Sequence, residues 1–168
     1  IPDADFDQLV ANAVELTRDP ALGLKLGLRL NLSAHAVLGQ AFMTCRDLGE
    51  VIDLFLKYYH LLASRLELEF EVHDDHCILT MVSEPGELSP EFGYELLYGA
   101  LVNTLRGLFN DPGLSMRMEF PYPEPPHGDL YREVFGEDIH FGALRGRIVI
   151  PRSLMARELP SSNPVLRR

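Results

Sequence analysis

The stretch "EVHDDHCILT", at positions 71–80, places five candidate metal ligands side by side. All five belong to residue types that bind transition metals: His73, Asp74, Asp75, His76 and Cys77. A zinc site needs three or four such side chains that converge on one point. Whether this stretch is a metal site therefore depends on the direction in which the local backbone sends each side chain.

The residues on either side of this stretch predict a β-hairpin. "LELEFEV" alternates apolar and acidic residues, which indicates a half-buried antiparallel strand, and "CILTMV" is a second β-prone run. If Asp74 and Asp75 form a two-residue turn, the apolar sides of both strands coincide and Cys77 points into the core. The register then pairs His73 with His76, Val72 with Cys77, Phe70 with Leu79, and Leu68 with Met81. We therefore predict a turn, with no metal and no cofactor.

Composition limits the classes of function that the chain can have. Its 168 residues suit one domain, and its first residue, Ile1, suggests a piece excised from a longer protein. The net charge of −10 disfavours direct contact with nucleic acid. No apolar run approaches the ~18 residues that cross a bilayer, so we expect no membrane association. The two cysteines form no C-x-x-C pair, which suggests a cytoplasmic location.

The order of predicted elements indicates the fold class. Helical spacing predicts helices over 5–20, 33–45, 46–65, 91–110 and 129–136, with only a short helical turn within 21–30. Ser33 and Ser89 are predicted helix caps, and Asp47 with Glu50 forms a predicted capping box. Strands are predicted over 66–72, 77–82 and 114–120, and two short ones lie around a glycine-containing turn within 138–151. The prediction is an α+β fold, in which several helices pack on a small, mostly antiparallel sheet.

Polar side chains on otherwise apolar helices are the candidate ligand-binding residues. An apolar pocket with a few placed polar groups is typical of a small-molecule site, and an arginine there could hold a carboxylate. The candidates are Tyr58, Tyr59, Tyr94, Tyr98, Asn103 and Arg106. The alternative is structural: tyrosines suit the edge of a core, and Arg106 could reach out to solvent. No nucleotide-binding, hydrolase or metalloprotease motif is present, so we expect no enzyme activity.

Two ordered sets of motifs resemble a known family. The first runs through "DPALGLKLGLRLNLSAHAVLGQAFMTCRDLGEVIDLFLKYYHLL", and the second through "MEFPYPEPPHGDLYREVFGEDIHFGALRGRIVIPRSLMARELPSSNP". The first set comprises Asp19-Pro20, Gly23-Leu24, Gly27, Leu38-Gly39, Leu48-Gly49-Glu50 and Lys57-Tyr58-Tyr59. Together they resemble the N-terminal effector-binding, arabinose-binding-like domain of bacterial AraC-type transcriptional regulators. Ala36 departs from the pattern, because a glycine is common at that position.

The resemblance implies a function and a domain division. Residues 1–158 would form an effector-binding and dimerisation domain, and 159–168 would begin the linker to a DNA-binding helix-turn-helix domain. The implied partners are a small-molecule effector, a second copy of the chain, and DNA only through the missing C-terminal domain. Effector binding would change how two DNA-binding modules meet their half-sites. Alternatives are a dimerisation module without a ligand, an enzyme, and a haem sensor that uses His60.

Overall fold

The computed structural model describes residues 3–30, 36–61, 66–82 and 90–161. The predicted caps Ser33 and Ser89 lie outside these ranges, as does most of the predicted linker. The described helices are α1 (Asp3–Thr17), α2 (Leu22–Gly27), α3 (Ala36–Phe42), α4 (Leu48–Tyr58), α5 (Pro90–Phe109), α6 (Gly128–Phe135) and α7 (Arg152–Met155). The described strands are β1 (Leu68–Val72), β2 (His76–Met81), β3 (Arg117–Glu119), β4 (Ile139–His140) and β5 (Arg147–Pro151).

The five described strands form one sheet in the order β1-β2-β5-β3-β4. Every neighbouring pair is antiparallel except β3 with β4, which confirms the predicted α+β class with a mostly antiparallel sheet. The hairpin of β1 and β2 has the predicted register, including Val72 opposite Cys77. The two predicted strands of 138–151 exist as β4 and β5, but they are not neighbours, because β3 lies between them.

The two faces of the sheet differ in character. One face is the core face, which carries buried apolar side chains from β2, β3 and β5, among them Cys77, Met118 and Ile148. The opposite, outer face carries Thr80, Arg147 and Glu119 in one row across the same three strands.

Two apolar residues differ from the expected burial. Val72, expected on the buried side, is 61% exposed, because it ends an edge strand beside the hairpin turn. The apolar run 148–150 predicts three core residues, but Val149 is half-buried, because the alternation of β5 places Ile148 and Ile150 on the core face and Val149 on the other.

The start of α4 is fixed by side chains and by the C-terminal part of the described chain. Asp47 Oδ1 accepts the Glu50 N–H at 3.0 Å, which confirms Asp47 as the helix cap. The return bond of the predicted capping box is shifted by one residue, because Glu50 Oε2 accepts the N–H of Arg46, which precedes the cap, at 2.6 Å. The Glu50 amide is the main cause that holds the pKa of Asp47 below its usual value. Glu158 forms an isolated antiparallel bridge with Asp47, and the buried Leu159 donates its N–H to Arg46 O.

Helix α2 lies directly against the backbone of α5, and glycines make this approach geometrically allowed. A Cβ on Gly27 would lie 2.6 Å from Leu96 O, and one on Gly23 would lie 2.7 Å from Phe92 O. Gly99 on α5 meets Gly27 from the other side. These glycines keep α2 short, as predicted, but they also let it pack closer to α5 than any side chain would permit.

Among the described residues, no helix combines the length and apolar character needed to cross a bilayer.

Candidate functional site

The histidines of the hairpin do not form a metal centre within the described ranges. The His73 and His76 rings stack with centroids 4.8 Å apart, as the predicted register requires. His76 Nδ1 lies 2.5 Å from Asp75 Oδ1, and His73 Nε2 lies 3.6 Å from Glu71 Oε2. In the part of the chain that the structure describes, no group of three or more His, Cys, Asp or Glu side chains could hold a metal ion.

A group of seven rings, here called the aromatic cluster, lies where α5, α6 and the chain segments after β3 and β4 meet. Ring centroids of its neighbouring members are 5.0–6.4 Å apart, mostly in tilted or edge-to-face geometry, which is the favoured arrangement. The members are Tyr94, Tyr98, Phe120, Tyr122, Tyr131, Phe135 and Phe141. Four tyrosines in one cluster bring hydroxyl groups into an apolar interior.

A buried carboxylate, that of Glu95, lies against this cluster. Glu95 is 1% exposed, and its Oε1 accepts the Tyr131 hydroxyl at 2.7 Å and His127 Nε2 at 2.5 Å. Its Oε2 accepts the Leu24 N–H of α2 at 3.1 Å. The Tyr131 and Tyr122 hydroxyls are 3.1 Å apart, so the network continues into the cluster. Glu95 thereby connects α5 with α2 and α6, and three donors offset the cost of removing a charge from water.

Among the described residues, two polar atoms beside this network have no hydrogen-bond partner. They are the hydroxyl of Tyr98, a residue that is 1% exposed, and Nδ1 of His127. Burial is the largest cause that raises the pKa of Tyr98, Tyr122 and Tyr131 above the ordinary tyrosine value, so these hydroxyls stay neutral. A neutral hydroxyl that is buried without a partner can still donate to, or accept from, a bound molecule.

The structure brings two of the six predicted ligand-binding residues together. Tyr94 and Tyr98 are one helical turn apart on α5, and their ring centroids are 5.5 Å apart within the aromatic cluster. Tyr58 and Tyr59 lie outside the cluster, at the end of α4 and in the 3₁₀ turn that follows it. Lys57 Nζ lies 5.4 Å from the centroid of the Tyr58 ring.

The other two predicted residues bind backbone carbonyls. Asn103 Nδ2 donates to Leu30 O at 2.8 Å. Arg106 donates from Nε to Leu114 O at 3.0 Å and from Nη2 to Val134 O at 2.7 Å. Partial burial lowers the pKa of Arg106 from the ordinary arginine value. Arg106 therefore ties α5 to the segments before β3 and at the end of α6. The ligand-binding role of all six residues stays a prediction.

Four polar residues of this region were not predicted from the sequence: Glu95, Tyr122, His127 and Tyr131. Glu95 had a visible signal, because it is a lone carboxylate between Tyr94 and Leu96 in an apolar part of α5. Tyr122 and His127 lie in "PYPEPPHG", which is too rich in proline to predict a helix or a strand. No local pattern shows that this proline-rich segment folds back onto α5.

Comparison with known proteins places this chain among the domains of transcription regulators. The chain belongs to the family described as the arabinose-binding domain of AraC transcription regulators, N-terminal, whose model matches residues 1–159. The two similar proteins described next are transcriptional regulators rather than enzymes.

Two similar proteins come from Pseudomonas aeruginosa. The ornithine utilization regulator is 37% identical over 161 residues, which cover 95% of this chain and 48% of the regulator. The crystal structure of the transcriptional regulator CdpR superimposes with a TM-score of 0.74 at 20% identity, over 99% of this chain and 53% of CdpR. The likeness to CdpR supports the fold alone. The chain therefore spans about half the length of each regulator.

Proposed function

We propose that this domain senses a small-molecule effector at the aromatic cluster and thereby controls a DNA-binding domain attached at its C-terminal side. The observation that carries the proposal is the Tyr98 hydroxyl, which is buried among aromatic rings and has no hydrogen-bond partner in the part of the chain that the structure describes. An unsatisfied buried polar group destabilises a fold, and a ligand group that pairs with it recovers that free energy on binding. Family membership supports the regulatory role, and DNA would be contacted only through the attached domain.

The chemistry of the cluster indicates which effectors to test first. Ring faces and the Glu95 carboxylate both favour a positively charged group, and the net charge of −10 attracts cations. One relative is named an ornithine utilization regulator, and ornithine carries two amines. We therefore propose amino acids with an amine in the side chain as the first effector class. An effector at the cluster would shift α5, α6 and α2 together, because Glu95, which lies on α5, is hydrogen-bonded to both α2 and α6.

Tyr98→Phe separates the stability of the domain from effector binding. Without effector, the variant is expected to be as stable as the original or more stable by up to about 1 kcal/mol, because it removes a hydroxyl that has no partner. An effector at 100 times its Kd stabilises the original chain by about 2.7 kcal/mol, which thermal denaturation detects as a few degrees. The variant should show a clearly smaller rise in Tm.

Tyr58→Phe is the comparison variant, because Tyr58 is a predicted ligand-binding residue that lies outside the aromatic cluster. It should keep the full rise in Tm if the effector binds at the cluster, and a smaller rise in this variant alone would place the effector at the end of α4 instead. If both variants respond like the original chain, effector binding does not use the Tyr98 hydroxyl. If no amine, amino acid, fatty acid or aromatic acid changes the Tm of the original chain, the dimerisation module without a ligand becomes the better hypothesis.

The exposed apolar side of α1 favours a second role, pairing with another copy of the chain. Phe6, Leu9, Ala13 and Leu16 follow the three-four spacing of a coiled-coil seam. Phe6, Leu9 and Leu16 are exposed, and no side chain described on α1 is fully buried. A helix with an apolar stripe and no buried residue is stabilised when it pairs with another helix. We propose that this stripe contributes to a homodimer.

Leu9→Glu should weaken this dimer and leave the monomer fold intact. A carboxylate in the centre of the seam of each copy places two like charges in an apolar contact. Light scattering over a dilution series should show a dimer for the original chain and a monomer for Leu9→Glu at the same concentration. Gln8→Glu adds the same charge away from the seam and should remain dimeric. Equal molar masses for both variants would exclude α1 as the interface.

A further inference from the structure

Two further buried polar atoms belong to residues on neighbouring strands, on the outer face of the sheet. Thr80 is 2% exposed, and its Oγ1 has no hydrogen-bond partner among the described residues. Arg147 Nε is likewise buried, with no partner in the described part of the chain. Thr80 on β2 and Arg147 on β5 are register partners, and both side chains lie on the outer face, opposite Leu79 and Ile148. Two adjacent unsatisfied groups on paired strands are unusual, because each costs free energy in the unoccupied fold.

The acidic residues on either side of this pair are engaged by other arginines. Glu119 faces Arg147 in the register of β3 and β5, but its Oε1 accepts Arg117 Nε at 3.1 Å and Arg117 Nη2 at 3.0 Å. Glu69 faces Thr80 from β1, and its Oε2 lies 3.8 Å from Arg145 Nη1. Among the described residues, no carboxylate lies within ion-pair distance of Arg147.

The hydrogen-bonding chemistry of Thr80 Oγ1 and Arg147 Nε determines which kind of group could bind to both. Arg147 Nε carries a hydrogen that only an acceptor can satisfy, and the Thr80 hydroxyl can donate as well. Two donors on paired residues of neighbouring strands, one of them on a guanidinium, suit an oxygen of a carboxylate or phosphate group. A cation or an amide N–H would leave the Arg147 donor unpaired.

We propose that Thr80 and Arg147 form a binding site for the oxyanion of a small molecule, a carboxylate or a phosphate. The site lies on the outer face of the sheet, whereas the rings of Tyr94 and Tyr98 pack on the core side with Gly146 and Phe120. It is therefore separate from the aromatic cluster, and the proposal does not depend on effector binding there.

The test measures the Tm of the 168-residue chain in sodium chloride, sodium phosphate and sodium acetate at matched ionic strength and pH. The chain should melt at a higher temperature in phosphate, in acetate or in both than in chloride. A rise in phosphate alone assigns the site to a phosphate, and a rise in acetate alone assigns it to a carboxylate. Equal Tm values in all three salts would overturn the proposal.

Three variants locate the effect. Thr80→Val keeps the shape of the side chain and removes the unpaired hydroxyl, so it should raise Tm in chloride and reduce the oxyanion rise by at least half. Arg147→Gln should abolish that rise, whereas Arg145→Gln, a neighbouring arginine on the surface, should retain it. A lower Tm of Thr80→Val in chloride would mean that the hydroxyl has a structural partner. Equal losses in Arg145→Gln and Arg147→Gln would mean a general charge effect, and either result rejects the site.

Discussion

Replacing Glu95 with alanine is expected to lower the free energy of unfolding by about 3–5 kcal/mol, the typical cost of removing one partner from a buried charged network. The substitution would remove the acceptor of three donors: the Tyr131 hydroxyl, His127 Nε2 and the Leu24 N–H. It would also remove the hydrogen bonds that link α2 and α6 to this carboxylate on α5. Urea denaturation followed by circular dichroism measures the loss directly.

Two comparisons show whether this loss comes from the network. Glu133→Ala removes an exposed carboxylate from α6 and should change stability by no more than about 0.5 kcal/mol. Glu95→Gln keeps the shape and one acceptor oxygen but introduces an amide that cannot accept, so its loss should lie between those of the two alanine variants. If Glu95→Ala is as stable as Glu133→Ala, Glu95 does not hold the three helices together.

Gly27→Ala is expected to destabilise the domain by about 1–3 kcal/mol, the usual cost of forcing extra atoms into a packed interior. The added Cβ would lie 2.6 Å from Leu96 O, 2.8 Å from Glu95 O and 3.1 Å from Ala100 N. All three atoms belong to the backbone of α5, which cannot move aside as a flexible side chain can. The two helices must therefore separate, although alanine favours a helix more than glycine does. Thermal and urea denaturation both report this loss.

Gly107→Ala is the matched control on α5. Gly107 is exposed, and no atom lies within 4 Å of the position that its Cβ would occupy. The same substitution there should stabilise the domain by about 0.5–1 kcal/mol, through helix propensity alone. Opposite signs for Gly27→Ala and Gly107→Ala would establish that close packing controls the first effect. A gain in stability in both variants would contradict the tight contact between α2 and α5.

The elements that were predictable are those whose signal is local. The hairpin register followed from Asp74-Asp75 and the alternation of the two flanking runs, because a two-residue turn fixes every pair beyond it. The helix cap at Asp47, which accepts from Glu50, is local in the same way. The fold class could be predicted because helices and strands do not alternate regularly along the chain.

Features that depend on distant contacts were not predictable. The insertion of β3 between β4 and β5 is a long-range pairing, and no pattern within 138–151 encodes it. Tyr94 and Tyr98 were named as candidate ligand-binding residues because their spacing places them on one face of a helix. Glu95 was not, because its three partners, Leu24, His127 and Tyr131, lie up to 71 positions away in sequence. Arg106 was expected either to hold a ligand carboxylate or to reach solvent, and its bonds to two carbonyls were not foreseen because helical spacing does not show which carbonyls α5 meets.

The joint between Leu159 and the beginning of α4 has a mechanical consequence. Leu159 is buried in the core and bonded to Arg46, and Glu158 is bridged to Asp47. Tension applied to the chain beyond Ser161 would therefore load the first turn of α4 before it reaches any strand of the sheet. Residues 46–47 and 158–159 are therefore the point at which a force on the C-terminal side of the domain is transmitted to its fold.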